Sequence, residues 1–200
     1  MRSSLITVSL SFALATALIP SLAEAQTPAT SRRASVALEA DAVAYGIGGY
    51  SGIVSVSLPN GLQFAVGNGR YEVPTFMLEA DANFEAARWK ATSTSIQVVR
   101  AMYRFRGPNK NGLALGAIVL NQNWRLRSKA LGGESKFSPL SVGLTAGYYL
   151  HIGKHFYLYP TTAFTYNKVV SGKASVNGTP YSVAKFGPNG SLHAGWEFTR

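Results

Sequence analysis

The stretch LSVGLTAGYYLHI, residues 140 to 152, alternates apolar side chains with small or polar ones at every second position. The apolar set is Leu140, Val142, Leu144, Ala146, Tyr148, Leu150 and Ile152, and the other set is Ser141, Gly143, Thr145, Gly147, Tyr149 and His151. A period of two predicts a β-strand, because successive side chains of a strand point to opposite faces. The segment is about twice as long as the usual soluble strand of about 5–6 residues.

Seven other segments have a similar pattern. They are residues 34–47, 53–58, 62–67, 95–105, 113–127, 156–168 and 190–200. Short turns at 59–61, 106–112 and 153–155 alternate with longer connections at about 70–94, 129–139 and 168–189. The pattern predicts an all-β fold, an antiparallel up-and-down transmembrane β-barrel of about eight strands with short periplasmic turns and longer outer loops.

Two segments do not fit this pattern cleanly. Residues 38–50 run into GGYSG, residues 48–52. They are predicted to form either a strand with a bend at GGYSG or a plug-like helix over 38–45. Residues 78–89 lie in the first long connection and have the composition of a short helix.

The N-terminus predicts export. Arg2, an apolar run from Leu5 to Leu22 and the sequence Ala23-Glu24-Ala25 have the order of a secretory signal peptide over residues 1–25. An uncleaved membrane anchor is the alternative, which Pro20 disfavours. Residues 26–33 read as a flexible leader, so the predicted domain is an outer-membrane β-barrel over residues 34–200. Export in turn predicts that the protein resides in the bacterial outer membrane.

The charge composition points to an anionic partner. The chain has no cysteine and carries a net charge of +10, while charged residues make up only 14% of it. A basic excess of this size favours lipid head groups, lipopolysaccharide phosphates or nucleic acid. Because the chain is predicted to be exported, we expect outer-membrane lipids and lipopolysaccharide as partners and no nucleic acid.

The apolar face of the strands has two possible neighbours, lipid or a protein core. Long strands, small polar residues on the opposite face and the aromatic cluster around residues 148–159 favour lipid. Pro160 argues against it, because proline removes a hydrogen-bond donor inside a strand. A soluble lipocalin-like barrel with a hydrophobic ligand is the alternative.

The segments GGYSGIVSVSLPNGLQF and GYYLHIGKHFYLYP and the C-terminal GWEFTR resemble small, mostly uncharacterised outer-membrane β-barrel proteins. The resemblance implies the fold and the location, and it implies no activity. In such proteins the aromatic C-terminal strand is read by the barrel insertion machinery, here through Trp196 and Phe198. The sequence departs from that signal because Thr199 and Arg200 follow the last aromatic residue.

A polar network is predicted inside the barrel. Its candidate members are Arg100, Arg104, His151, His193 and Glu197, with Glu197 paired to one of the two arginines. The pattern contains no metal or cofactor motif, so we expect neither group. The predicted function is a structural or binding role without catalysis.

A lipid A-modifying barrel enzyme is the catalytic alternative, with Ser191, His193 and Glu197 on one face of the last strand. Residues two apart on a strand lie about 6–7 Å apart, which exceeds the ~2.6–3.2 Å that direct proton transfer requires.

Four basic residues are predicted to face lipopolysaccharide. Arg125, Arg127, Lys129 and Lys136 lie around the connection that follows the 113–127 strand. If the long loops face outward, these side chains lie at the level of the lipid phosphates. The alternatives are an ordinary solvated loop, or a lumen position for Arg125 and Arg127.

Overall fold

The computed structural model of the chain describes residues 33–73, 89–128 and 132–199. Within these residues eight long strands form a closed barrel. The elements are β1 Ser35–Asp41, α1 Ala42–Gly46, β2 Tyr50–Ser57, β3 Leu62–Glu72, β4 Trp89–Arg104, β5 Gly112–Ser128, β6 Glu134–Ile152, β7 Phe156–Gly172, β8 Ser175–Val176, β9 Thr179–Pro180 and β10 Phe186–Thr199. The short strands β8 and β9 form a separate hairpin between β7 and β10.

The barrel has up-and-down connectivity. Around its circumference the order is β1, β10, β7, β6, β5, β4, β3 and β2, and every neighbouring pair is antiparallel. The first and last strands pair with each other, so the sheet has no free edge. The prediction of an all-β, antiparallel barrel of about eight strands is confirmed.

The strands are strongly tilted. The pairing can be followed once around the barrel from Pro188 through Phe164, Leu144, Ala117, Ala101, Phe64, Val56 and Val36 to Phe198. It returns to β10 ten residues further along that strand. Because stagger and tilt are linked in a closed sheet, an offset of this size in eight strands requires a tilt of about 40°.

The two ends of the barrel differ. At one end, which we call the turn end, residues 58–61, 105–111 and 153–155 join the strands, and both Ser35 and Thr199 lie there. At the other, the loop end, the connections are residues 42–49, 73–88, 129–133 and 173–185. The loop-end connections at 129–133 and 173–185 are shorter than predicted, because polar residues on β6, β7 and β10 continue the hydrogen-bonded ladder.

The structure decides between the two alternatives for residues 38–50, a strand or a plug-like helix. Residues 38 to 41 belong to β1, and a single turn of helix, α1, follows at the loop end. The Asp41 side chain caps this helix by accepting a hydrogen bond from the Val43 amide at 2.9 Å. In the described part of the chain, no helix has the length and apolar character needed to cross a membrane.

Several predictions concern residues outside the described ranges. These are the signal peptide over residues 1–25, nearly all of the leader over 26–33 and the helix over 78–89. Only the last residue of that helix, Trp89, is described, and it begins β4.

Pro160 lies where the ladder between β6 and β7 is interrupted. The pairs are Gly147 with Thr161 and then Leu150 with Leu158, so the position opposite Pro160 lacks a regular partner. The missing amide donor of proline is therefore tolerated in this long strand. Gly147 lies beside the gap, and the Tyr159 ring occupies the space that a β-carbon at residue 147 would need.

Candidate functional site

Large apolar side chains cover the outside of the barrel in its turn-end half. Leu144 is 75% exposed, Phe164 60% and Val66 58%. Others with at least a third of their surface exposed are Val36, Leu38, Val54, Val56, Leu62, Phe64, Val99, Leu113, Leu115, Leu150, Ile152, Trp196 and Phe198. The inward positions between them are small, polar or charged, and most are buried. Soluble proteins rarely expose so continuous an apolar surface.

The polarity of the wall reverses towards the loop end. On β5 the outward positions are, in order, Leu113, Leu115, Ala117, Val119, Asn121, Asn123, Arg125 and Arg127. The inward side chain between the two arginines, Leu126, is fully buried. The outward positions also change from apolar to polar between Val66 and Asn68 on β3 and between Leu140 and Ser138 on β6. We call this change the polarity boundary.

The charged side chains of the turn-end half cross the lumen. Arg104 on β4 donates to Glu197 on β10 at 2.7 Å and 3.4 Å, and these two strands lie on opposite sides of the barrel. Glu197 also lies 2.9 Å from His151 Nε2 and accepts hydrogen bonds from Ser35 Oγ at 2.5 Å and the Asn109 amide at 3.1 Å. These hydrogen bonds come from side chains of the strands and, through Asn109, from the turn over residues 105–111.

A second ion pair lies deeper in the lumen. Arg100 donates from Nη2 to Glu39 Oε2 at 2.6 Å, and both side chains are almost completely buried. Ser55 donates to the same carboxylate at 3.1 Å, and His193 Nδ1 lies 3.9 Å from it. Each buried arginine therefore has its own glutamate, which offsets the cost of removing the charges from water.

Three tyrosines fill the space around these ion pairs. The Tyr149 and Tyr159 rings stack with centroids 4.0 Å apart, and the Arg104 guanidinium lies 3.9 Å from the centre of the Tyr149 ring. Tyr149 also donates to Gln63 on the far wall at 2.7 Å. The Tyr157 ring occupies the place of a β-carbon at Gly195, so a glycine is needed on the facing strand. Side chains therefore close the lumen at this level.

The lumen contains all five residues predicted for a polar network. Glu197 joins Arg104 and His151, whereas Arg100 and His193 surround Glu39 instead. Sequence reasoning missed Glu39, although it alternates with the outward residues Leu38 and Ala40 in β1. It also did not predict that Gln63 and the three tyrosines belong to the network.

The Ser191, His193 and Glu197 set is not assembled as a catalytic triad. Glu197 bonds Arg104 and His151, while the carboxylate nearest to His193 is Glu39. The Ser191 hydroxyl is buried and has no hydrogen-bond partner among the described residues. The same part of the chain contains no group of three or more side chains that are placed to hold a metal ion.

An apolar cluster fills the inside of the barrel at the loop end. Its buried members are Trp89, Ala91, Leu126, Phe137 and Val176. Val176 belongs to the β8–β9 hairpin, which folds inward against β5 and β6. Trp124 stacks on Phe137 with ring centroids 6.1 Å apart. Sequence reasoning assigned this hairpin to a polar loop, because isolated apolar residues among polar ones gave no periodic signal.

Basic residues lie on the outside of the wall above the polarity boundary. Arg125 and Arg127 point outward and share Glu134, at 3.3 Å and 2.8 Å respectively. Lys136 is exposed on the neighbouring strand. The alternative lumen position for Arg125 and Arg127 is therefore wrong. The fourth predicted residue, Lys129, lies outside the described residues.

Comparisons with known proteins reveal only distant likenesses. No protein-family model matches the chain, and no curated protein matches it. The N-terminal β-barrel domain of OprF from Pseudomonas aeruginosa is 13% identical with a TM-score of 0.47, covering 84% of this chain and 98% of that domain. Neisserial surface protein A is 18% identical with a TM-score of 0.44, covering 84% of this chain and 95% of that one.

A third solved structure, a major outer membrane protein from Thermus thermophilus, is 13% identical with a TM-score of 0.49 and covers 82% of this chain and 99% of that one. Likenesses this distant do not carry a conclusion about function.

Proposed function

We propose that the protein is an integral β-barrel protein of the bacterial outer membrane with a structural role in the envelope. The observation that carries this proposal is the polarity boundary. Below it, the outside of the wall is apolar and the lumen is charged; above it, the outside is charged and the inside is apolar. This distribution of apolar and charged residues is expected if a bilayer surrounds the turn-end half and water surrounds the loop end.

The exposed apolar residues argue against a soluble barrel. Leaving one large apolar side chain in water forgoes about 1.5–3 kcal/mol relative to burying it, and the turn-end half exposes more than a dozen. A lipocalin-like barrel requires the reverse arrangement, with an apolar lumen for its ligand. Here the lumen of that half contains two buried ion pairs.

A structural role fits the closed lumen. The Arg104–Glu197 pair joins opposite walls, and the tyrosine rings pack beside it. The lipid A-modifying alternative has less support, because His193 and Glu197 lie inside the lumen, away from the lipid-facing surface. We therefore propose neither catalysis nor an open pore.

Assembly by the barrel insertion machinery follows from the same proposal. The closing strand β10 turns Trp196 and Phe198 outward, 47% and 50% exposed, and pairs with β1 along its last residues. An aromatic outward face on the last strand is what the insertion signal requires. The signal peptide would deliver the chain to that machinery.

The test is to express the full chain in a Gram-negative host and follow where it goes. We expect it to fractionate with outer membranes, to need detergent for solubility and to migrate faster on gels before heating than after. In planar bilayers the purified protein should not form long-lived open channels. A protein that stays monomeric in buffer without detergent would overturn the proposal.

A further inference from the structure

A depression of about 350 Å³ lies in the wall between β4 and β7, close to the loop end. The side chains that matter for its chemistry are Thr94, Asn123, Arg125, Lys136, Ser138 and Ser171. Two are cations, three are hydroxyls and one is a carboxamide. The depression therefore offers hydrogen-bond donors and positive charge, with no carboxylate among its lining residues.

The two cations lie directly opposite each other. Arg125 on β5 is the cross-strand partner of Lys136 on β6. Like charges at directly opposite positions of an antiparallel pair destabilise a sheet. Glu134 is shared by Arg125 and Arg127, and among the described residues no carboxylate forms an ion pair with Lys136. One carboxylate thus serves three cations, so this part of the wall keeps an excess of positive charge that attracts an anion.

The backbone around the depression is irregular on two strands. Thr94 is an extra residue on β4, between the pairs of Ser93 with Trp124 and of Ser95 with Asn123. Val170 is an extra residue on β7, between the pairs of Ser138 with Ser171 and of Pro139 with Val169. Bulges of this kind redirect side chains and are frequent beside binding sites. The Thr94 hydroxyl donates to the Asn123 carbonyl at 3.0 Å, and the Ser138 hydroxyl donates to the Asn123 side chain at 2.8 Å. The polar wall is held by its own hydrogen bonds.

The position of the depression points to a lipid. It begins just above the polarity boundary, where Val119 and Leu140 are the last apolar outward residues below it on β5 and β6. A molecule whose phosphate lies between Arg125 and Lys136 would place acyl chains against this apolar surface. A free inorganic anion has no acyl chains, so contact with this apolar surface would not strengthen its binding.

Uncharged polar side chains extend the surface sideways across the outside of the wall. Asn68 donates to Ser95 at 3.3 Å, and Asn121 donates to Gln97 at 3.2 Å. These groups lie on β3, β4 and β5, where the outward residues become polar one position earlier along the ladder than on β6, since Asn121 pairs with Leu140. Carboxamides and hydroxyls in a row are suited to the hydroxyl groups of a sugar.

We infer that this surface is a binding site for the phosphorylated sugar head group of an outer-membrane glycolipid of the lipopolysaccharide class. The inference rests on the proposed outer-membrane location, and it adds a defined site and ligand chemistry. Arg125 and Lys136 hold the phosphate. The Thr94 and Ser138 hydroxyls already donate to Asn123, so the Ser171 hydroxyl is the one that donates to the phosphate, and the carboxamides face the sugar.

The test compares two double variants of the full chain in detergent micelles. R125Q/K136Q removes both cations of the site. R70Q/K154Q removes two exposed basic residues away from the depression, so both variants lose the same charge. The probes are purified lipopolysaccharide, its dephosphorylated form and inorganic phosphate. We expect R125Q/K136Q to bind lipopolysaccharide at least tenfold more weakly than the wild type and R70Q/K154Q to bind within about twofold of it.

The other two probes show whether the bound phosphate belongs to a lipid or is free inorganic phosphate. Dephosphorylated lipopolysaccharide should bind the wild type as weakly as intact lipopolysaccharide binds R125Q/K136Q, and inorganic phosphate at the same concentration should not compete. Equal losses in the two double variants, or displacement by inorganic phosphate, would overturn the inference. Folding of every variant is checked by gel mobility before and after heating. A chain that folds and inserts but fails the binding test contradicts only the site, whereas failure to insert contradicts the proposed function.

Discussion

The turn-end half and the loop end of this barrel place their apolar side chains on opposite faces of the same wall. In the turn-end half the outward residues are apolar and the lumen contains Arg100 and Arg104 with their glutamates. At the loop end the outward residues include Arg125 and Arg127, and the inside contains Leu126 and Phe137. The same strands run through both halves, so the surroundings of the wall determine which face is apolar.

The two interiors are also held by different forces. The charged lumen depends on partners: Glu39 and Glu197 are buried, and each has an arginine within 2.7 Å. The loop-end interior depends on apolar contact among Trp89, Leu126 and Phe137. Loss of one partner is therefore severe in the lumen, since it leaves a buried charge unpaired, whereas loss of a contact at the loop end leaves a cavity.

The largest expected effect is at Glu39. Glu39→Gln leaves Arg100 charged and buried without a counter-ion, so it should lower the free energy of unfolding by about 3–5 kcal/mol. Urea titration of the protein refolded in micelles, followed by tryptophan fluorescence, measures the change. The double variant E39Q/R100M removes both charges and should recover much of the loss. If the double variant is no more stable than E39Q, the ion pair is not what stabilises the lumen.

The loop-end interior is tested at Leu126. Leu126→Ala removes a fully buried side chain and should cost about 2–5 kcal/mol. The matched control is Leu115→Ala on the same strand, because Leu115 faces outward and is 43% exposed. Hydrogen exchange of the amides in residues 173–185 is the more specific measurement, and it should speed up only in L126A. Equal exchange in both variants contradicts an apolar core beneath the β8–β9 hairpin.

Much of the turn-end half was predictable from the sequence, because the period-two pattern is undisturbed there. Residues 140 to 152 alternate without interruption, and the structure turns Leu144 outward and Thr145 inward. The short turns were also predictable, since glycine, asparagine and proline mark them. Partner choice in the lumen was not predictable, because Glu39 and Arg100 are 61 residues apart in sequence and only closure of the barrel brings them together.

The loop end was harder to predict because the pattern changes phase and register there. On β5 apolar residues occupy both faces around the polarity boundary, so LALGAIVL did not identify its outward side. The bulges at Thr94 on β4 and Val170 on β7 shift the alternation of those strands by one residue. Polar composition suggested loops where β6, β7 and β10 continue, because outward residues beyond a membrane are polar in strands as well.

A substitution at Leu144 tests whether the apolar outer surface of the turn-end half faces lipid. This side chain is the most exposed large apolar residue described, at 75%. Leu144→Arg should destabilise the inserted barrel by about 2–4 kcal/mol, because it puts a charge on the lipid face. Asn121→Arg is the control, an outward substitution above the polarity boundary, and it should be nearly neutral. Folding yield into lipid vesicles measures both; equal yields would remove the case for a boundary between Val119 and Asn121.

The smallest effect is expected at an ion pair on the outside. Lys90 lies 3.2 Å from Glu72, but both side chains are about half exposed. Glu72→Gln should therefore cost about 0.2–1 kcal/mol, and the loss should shrink as salt is added because water and ions screen the pair. The loss in E39Q should be nearly independent of salt, since Arg100 is buried away from solvent. The same urea titrations at low and at high sodium chloride concentration separate the two cases. If the Glu72 and Glu39 variants lose the same stability at both salt concentrations, solvent reaches the lumen. The lumen ion pair is then no better shielded from water than the pair on the outside.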